Sequence, residues 1–597
     1  MKLTLKPLSH RIFLCMLLAG CALSCDLTLI PEDTVTPDTS FKSRTDLDNW
    51  CNYYYNIFES AETYSGRNAD DLVDNSLGDI ILGTRYATDD LDAKNEWYWR
   101  HLRNINYCLE RVHQCEDAQA AKEYTGVCYF FRALTYLEKV MRFGDVPWYD
   151  HVLGSDETGE LRRPRDDRGF VMDKVMEDLD NAIEMLPDGK DVYHVTKWTA
   201  LALKSRAALF EGTWRVYHEM GDSEKYLAQA VEAAEKFIDD SPYSIWSGGE
   251  NPYRTLFNSL DAVDSEVILA KRYSQAAAVS SSVQFNLRNA KMGFTRRFMN
   301  HYLMKDGSRF TDMPGHGTMM WREETSGRDP RMAQTVLCPG YDLLRNVNII
   351  GVSKYGNDFS ALTGYEPVKF ALDCSVQDYS GASKSFSDFP LFRAAEVYLN
   401  FAEAKAELGT FTQDDADKSI KPLRDRVGMP NLDVAAASES PDPYLLACYP
   451  NAAGRPVPGL ILEIRRERTV ELVMEGLRQW DMLRWKEGLQ MVNENAPYYG
   501  MYIPGPGIYD LDGDGANDTE FYTSSPASTA KDKLVTLKIG SSVILSEGES
   551  GYVTAWAGST FTFDEGRDYL WPIPAAQRVS TGGMLTQNPG WNDGLNF

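Results

Sequence analysis

The sharpest chemical pattern in the chain is Tyr509-Asp-Leu-Asp-Gly-Asp-Gly-Ala-Asn-Asp518, where Asp510, Asp512, Asp514 and Asp518 stand at the first, third, fifth and ninth places of a calcium loop. Gly515 falls at the sixth place, where such a loop turns sharply, and the Ala516 carbonyl falls at the seventh. Phe521 takes the twelfth place, where an EF-hand supplies a bidentate glutamate. Carboxylates this close repel one another unless a cation is present. A structural Ca2+ and a polar turn both remain open; Mg2+, with its strict octahedron, fits less well. No cofactor is required. No G-x-S-x-G, H-E-x-x-H, G-x-G-x-x-G or Walker-type loop occurs. A glycosidase pair of carboxylates cannot be singled out among 87 acidic residues.

Guanidinium groups crowd a second stretch, residues 461–485. Val470, Val473, Met474 and Leu477 fall at i, i+3, i+4 and i+7 there, which predicts one helix with one buried face. The other positions hold Glu463, Arg465, Arg466, Glu467, Arg468, Glu471, Glu475, Arg478, Asp481 and Arg484. Exposed pairs at three- or four-residue spacing stabilise a helix by only a few tenths of a kcal/mol. Planar guanidinium groups suit partly buried, bidentate carboxylate pairing and stacking on rings such as Trp480 and Trp485. A structural ion-pair lattice is therefore expected here in place of a reactive site.

The elements that carry these groups begin behind a secretory leader. Lys2, Lys6 and Arg11 precede the apolar run Ile12-Phe-Leu-Cys-Met-Leu-Leu-Ala, which is too short to span a membrane. Leu18-Ala-Gly-Cys21 matches a lipoprotein acylation box best, while Ala22-Leu-Ser-Cys25 is followed by a Pro/Thr/Asp-rich tether; lipid on Cys25 or Cys21 would be a firm anchor. The formal net charge of −26 leaves no basic footprint for nucleic acid. Aromatics make up 12% of the chain and offer many stacking faces. Cys51, Cys108, Cys115, Cys128, Cys338, Cys374 and Cys448 show no metal spacing and read as buried free thiols. Cys108 and Cys115 are expected on one helical face, too far apart along the axis for a disulfide.

Helical periods mark 46–58, 102–109, 126–143, 175–186, 200–210, 227–238 and 389–409, and the pair over 197–239 looks like a tetratricopeptide hairpin. From 241 to 385 the periods fade, Gly, Ser, Asn and Asp become frequent, and Glu266-Val-Ile-Leu-Ala270 suggests a strand. The fold class is mostly α: a tetratricopeptide-like helical-hairpin scaffold with a long irregular, strand-containing, ligand-facing region. Long irregular excursions from a rigid scaffold are commonly functional.

Several separated runs carry a family resemblance. They are Phe131-Arg-Ala with Phe143-Gly-Asp-Val-Pro147, Arg328-Asp-Pro-Arg331, the segment 389–409, Pro422 to Pro430, the 461–485 stretch, Leu570-Trp-Pro-Ile-Pro574 and Asn588-Pro-Gly-Trp591. In this order they resemble the SusD/RagB family of outer-membrane nutrient-binding lipoproteins. The resemblance implies a signal peptide over 1–24, a helical region over 25–240 and a C-terminal region over 241–597, packed as one globular unit with the first.

It also implies a non-catalytic protein that captures an oligosaccharide at the cell surface of a Gram-negative bacterium of Bacteroidetes type. The captured nutrient would pass to a SusC-like TonB-dependent transporter in the outer membrane. Ligands in the family bind near the aromatic junction before the helix that carries Asn106. Trp97, Tyr98 and Trp99 are thus the first binding candidates, with Arg67 and Asn68 in the preceding polar stretch and Trp246, Tyr273, Trp321 and Tyr341 in the irregular region. A peptide ligand, as in the RagB branch, a pure interaction solenoid, or a glycoside-degrading enzyme are the alternatives.

Overall fold

The computed structural model describes residues 40–58, 69–88, 97–339, 361–372, 381–492, 498–511, 515–529, 531–532 and 534–597. Its frame is ten helices. α1 is Arg44–Cys51, α2 Arg100–Leu109 and α3 Ala118–Phe143. α4 (Arg168–Met185), α5 (Lys197–Tyr217) and α6 (Ser223–Asp240) follow, then α7 (Ala394–Glu407) and α8 (Gln413–Asp425). α9 (Pro458–Glu471) and α10 (Arg478–Arg484) close the set. Side chains stop the ends from fraying: Ser43, Asp117, Asp167 and Thr412 each accept a backbone N–H at a helix start.

Successive helices pair as antiparallel hairpins, α3 with α4 and α5 with α6, and α7 then packs on α5 and α6. Gly212 permits a close approach of α5 and α6, since a Cβ there would meet Leu227 Cγ at 2.8 Å. This is the tetratricopeptide-like stacking expected from the pattern, because no single hairpin buries both of its faces. Among the described residues no helix is long and apolar enough to cross a membrane.

Two apolar cores form. One joins the α1–α6 helices to α7–α10 and the chain's end, with Phe131, Leu203, Phe401 and Ile573 among its members. The other gathers the irregular region, including Tyr253, Phe294, Trp321 and Tyr365, with the small strands that follow residue 498. Those strands are Tyr499–Ile503 paired with Gly551–Thr554, and a sheet of Gly507–Tyr509, Thr519–Tyr522 and Val535–Lys538.

Three local expectations are corrected. Phe389–Arg393 is not the start of a helix but a strand, antiparallel to Val267–Lys271. The run is buried at all but Leu391, with Phe389 and Phe392 in the two cores, and Pro390 cannot donate to a helix ladder. Cys115 is not on the helix of Cys108, which stops at Leu109. Residues 461–485 make two helices, because the chain reverses between them with Met474 at φ 62° and Gly476 at φ 79°. The carbonyls freed at the break are occupied: Tyr253 Oη donates to Glu471 O at 2.7 Å and Lys369 Nζ to Val473 O at 2.8 Å.

The expected single buried face is also corrected, since α9 is buried all round from Gly459 to Glu471. Its charges meet partners from distant segments. Glu467 accepts from Arg331 at 2.5 Å and from Arg424 at 2.8 Å, and Glu471 pairs with Arg393 (2.8 Å), Arg331 (3.1 Å) and Arg426. Arg468 donates to Asp481 at 2.8 Å and Asn400 at 2.9 Å, and Arg484 grips Glu403 through two bonds of 2.5 and 2.7 Å. Arg478 grips Asp70 in the same way, at 2.6 and 2.8 Å. Arg465 stacks on Trp485, 4.2 Å from the ring centre. Burial pushes the carboxyls of Glu403, Glu467, Glu471, Glu475 and Asp481 up, but the surrounding cations outweigh it and hold all five below their ordinary values.

Arg468→Ala leaves buried acceptors unpaired and should cost about 3 kcal/mol of stability, measured by urea unfolding, with ligand affinity little changed in the fraction that remains folded. The depressed carboxyls fix the sign of the acid response. Unfolded, they protonate near about pH 4, whereas folded they resist. The stability these five carboxyls contribute should be full above about pH 5 and fall as pH drops below about 4, read as a melting temperature that declines steeply there.

Candidate functional site

A cleft of about 490 Å³ opens at the N-terminal end of α2. One wall is the aromatic junction and the helix it leads into, with Trp97, Trp99, Arg100, Arg103 and Asn106. The loop after α3 gives the second wall, with Pro147, Tyr149, His151, Leu161 and Arg163, and the C-terminal segment the third, with Gln577, Ser580, Thr581 and Leu585.

The walls are tied to one another by backbone contacts that place the side chains. Asn106 Nδ2 donates to the carbonyls of Tyr149 (3.0 Å) and His151 (3.2 Å), and Arg103 donates to Leu153 O at 2.7 Å. Asn106 thus works as a strap on the second wall. Tyr136 stacks on Trp148 at 4.2 Å, and its hydroxyl accepts the Tyr149 N–H at 2.5 Å, which fixes where the Tyr149 ring begins. The third wall is carried by the closing motif. Asn588 Nδ2 donates to Phe143 O at 3.0 Å and to Trp571 O at 2.7 Å, while Trp571 N donates to Arg142 O at 2.7 Å. Arg85, 3.1 Å from Asp568, lies over the rings of Trp571 and Trp591.

The three adjacent aromatics divide their roles. Trp97 is 4% exposed, set edge-on to Phe143 with centroids 4.8 Å apart, so it supports the cleft floor more than it contacts solvent. Trp99 is half-buried, T-shaped to Trp97 at 5.4 Å and to Tyr149 at 6.2 Å. Tyr98 does not line the cleft; it packs beside His101, 5.4 Å between ring centres, in a partly exposed cluster that also holds Tyr53. The junction lies just before α2, which begins at Arg100, and its three consecutive rings meet different neighbours.

Other candidates fall elsewhere. Trp321 is 1% exposed and packs on Tyr365, and Tyr273 is 6% exposed; both belong to the second core, so neither presents a face to a ligand here. Trp246 is half-buried against the same core. Burial of these rings is what lets the irregular region hold together without long helices. Arg67, Asn68, Tyr341, Cys21 and Cys25 lie outside the described residues, as do Asp512 and Asp514 of the acidic loop. The remaining loop carboxylates make local turns: Asp510 accepts from Gly515 N at 3.0 Å and Asp518 from Leu511 N at 2.8 Å. Sequence reasoning missed the second and third walls. The aromatic pair Trp148-Tyr149 directly after Val146-Pro147 was a usable signal for Tyr149, whereas nothing about Gln577 to Leu585 marks a site in isolation.

None of the described cleft-lining residues is a carboxylate, although the chain is strongly acidic. Arg100, Arg103 and Arg163 stand there with His151, whose imidazole is held above its ordinary value by the Asp150 carboxylate bonded to it. Rings, guanidinium groups and amides suit a polyhydroxylated ligand: C–H faces stack on rings, and hydroxyls meet planar donors and acceptors.

Comparison with known proteins follows the geometry. Residues 266–591 match the model of the SusD family, and residues 33–209 match a second model described as starch-binding, associating with outer membrane. A SusD-like protein, P25, of Formosa agariphila is 22% identical over 514 residues, covering 78% of this chain and 87% of its own length. Among solved structures, a SusD-like carbohydrate binding protein from Bacteroides fragilis aligns with a TM-score of 0.65 at 18% identity, covering 92% of this chain and 99% of the other. A laminarin binding SusD-like protein aligns at 0.55 and 18% identity, covering 92% and 100%. At these identities the structural matches establish the fold alone.

Trp97→Ala should cost about 3 to 5 kcal/mol of stability by thermal or urea unfolding, because it empties a filled core site. Asn106→Ala should leave the global melting temperature within a few degrees and make the 147–153 loop newly sensitive to limited proteolysis, since its two carbonyl contacts are lost.

Proposed function

The chain belongs to the SusD family, and from that membership and the cleft's lining we propose that it is a non-catalytic binding protein for a nutrient oligosaccharide. The observation that carries the reading is the pairing of Trp99 and Tyr149 with arginines and Gln577 at one cleft, without a carboxylate among the described lining residues. A glycosidase needs two carboxyl groups about 5 to 10 Å apart across its substrate. The described lining offers none, which favours binding over hydrolysis.

Lipid on Cys21 or Cys25 holds the protein at the outer membrane, facing the cell surface. Bound ligand passes to a SusC-like TonB-dependent transporter. In that arrangement modest intrinsic affinity suffices, because a partner seated on the barrel raises the effective concentration of ligand at its mouth.

Calorimetry of the purified mature chain against laminarin, starch, other oligosaccharides and peptides tests the proposal. One glycan class should bind with a Kd between about 1 μM and 1 mM. Trp99→Ala should weaken that binding at least tenfold with little change in melting temperature. Peptide binding without any glycan binding would replace the sugar reading by a peptide one, and release of reducing ends by the purified protein would refute the non-catalytic part. Failure of a barrel to co-purify from membranes would count against delivery alone.

A further inference from the structure

The charge of the cleft runs against the charge of the chain. The formal net charge is −26, yet the cleft's described lining holds Arg100, Arg103, Arg163 and His151 and no carboxylate. Two of these cations are answered from outside the lining. Arg163 lies 2.8 Å from Asp166 and 3.5 Å from Glu160, and His151 lies 3.0 Å from Asp150 and 3.6 Å from Glu157. Arg100 and Arg103 have no carboxylate partner among the described residues. Arg100 rests over the Tyr98 ring, 5.3 Å from its centre. Arg103 donates to Leu153 O at 2.7 Å, a neutral acceptor that holds the guanidinium at the cleft wall without cancelling its charge.

The two arginines stand three positions apart at the start of α2, which puts them on one face. A helix start carries positive partial charge and favours acidic side chains, but the first turn of α2 has none and Trp99 supplies no side-chain cap. Two cations at that end oppose the helix dipole, a local cost that an anion bound in the cleft removes. The neighbouring residue registers the same field: burial, then the charges of Lys139 and Arg100, push the His101 imidazole below its ordinary value.

Resting on the oligosaccharide-binding reading above, we propose that the ligand is an anionic oligosaccharide, whose carboxylate or sulfate group is held by Arg100 and Arg103 while a sugar ring stacks on Trp99. A guanidinium fork matches either oxyanion through two parallel hydrogen bonds, and those bonds are stronger than bonds to a neutral hydroxyl. Because the rest of the chain is acidic, this recognition acts at contact distance and not by long-range steering.

Calorimetry of the full mature chain with matched ligands tests the assignment. The pairs are an oligogalacturonate with its methyl ester and a sulfated galactan oligosaccharide with its desulfated form, with laminarin and starch oligosaccharides beside them. One acidic glycan should bind at least tenfold tighter than its neutralised partner, and the pair that shows the difference tells carboxylate from sulfate. Arg100→Gln and Arg103→Gln should each weaken binding of that acidic glycan at least tenfold and erase the preference. Their melting temperatures should stay within a few degrees, since both side chains are exposed. The matched-ligand comparison on the unmutated protein stands even if a variant fails to fold. Equal affinity for charged and neutralised forms, or a neutral glucan bound tighter than either acidic glycan, would overturn the anionic assignment and leave glycan binding standing. Binding of no glycan in either form would overturn both.

Discussion

Taking a guanidinium or a carboxylate out of water costs several kcal/mol, and the charge survives inside a protein only when a partner meets it with good geometry. Along α9 and α10 this chain buries Arg465, Arg466, Glu467, Arg468, Glu471, Arg478, Asp481 and Arg484 together. Everything else depends on their partners arriving. Arg331 comes from the irregular region, Arg393 from the strand before α7, Glu403 from α7, Arg424 and Arg426 from the end of α8, and Asp70 from the segment before α2. A misplaced segment would leave a charge unpaired, so the lattice specifies one arrangement as much as it stabilises it.

Asp70 and its neighbour Asp71 show how local that control is. Burial pushes both carboxyls up. For Asp70, Arg478 and Arg297 outweigh burial and hold it well below the usual range. Asp71 has a buried oxygen without a hydrogen-bond partner among the described residues, and burial carries its carboxyl up to about 7. One residue of displacement thus separates a charge held in place from one held out.

The cleft depends on the same logic at one remove. Its rings would be scattered without the contacts that bind chain segments hundreds of residues apart: Asn588 to Phe143, Trp571 to Arg142, Arg85 between two tryptophans. The closing Leu-Trp-Pro-Ile-Pro and Asn-Pro-Gly-Trp runs are therefore fasteners that lie outside the cleft lining. They carry Gln577, Ser580 and Thr581 to the site from a segment whose composition is ordinary.

The sequence by itself determined the helical periods, the hairpin at 197–239, the strand at 266–270, the family and the structural character of the 461–485 arginines. These are properties of spacing and residue type, which local geometry reads directly. It misjudged what spacing cannot carry: the break at Met474, the strand at Phe389–Arg393, and the burial of Trp321 and Tyr273. Tertiary structure alone decided which tryptophan faces a cleft, which distant segments wall it, and that the thiols of Cys51, Cys108 and Cys128 meet in the first core. Each of those is a contact across long stretches of chain, and its energy exists only once the segments have been brought together.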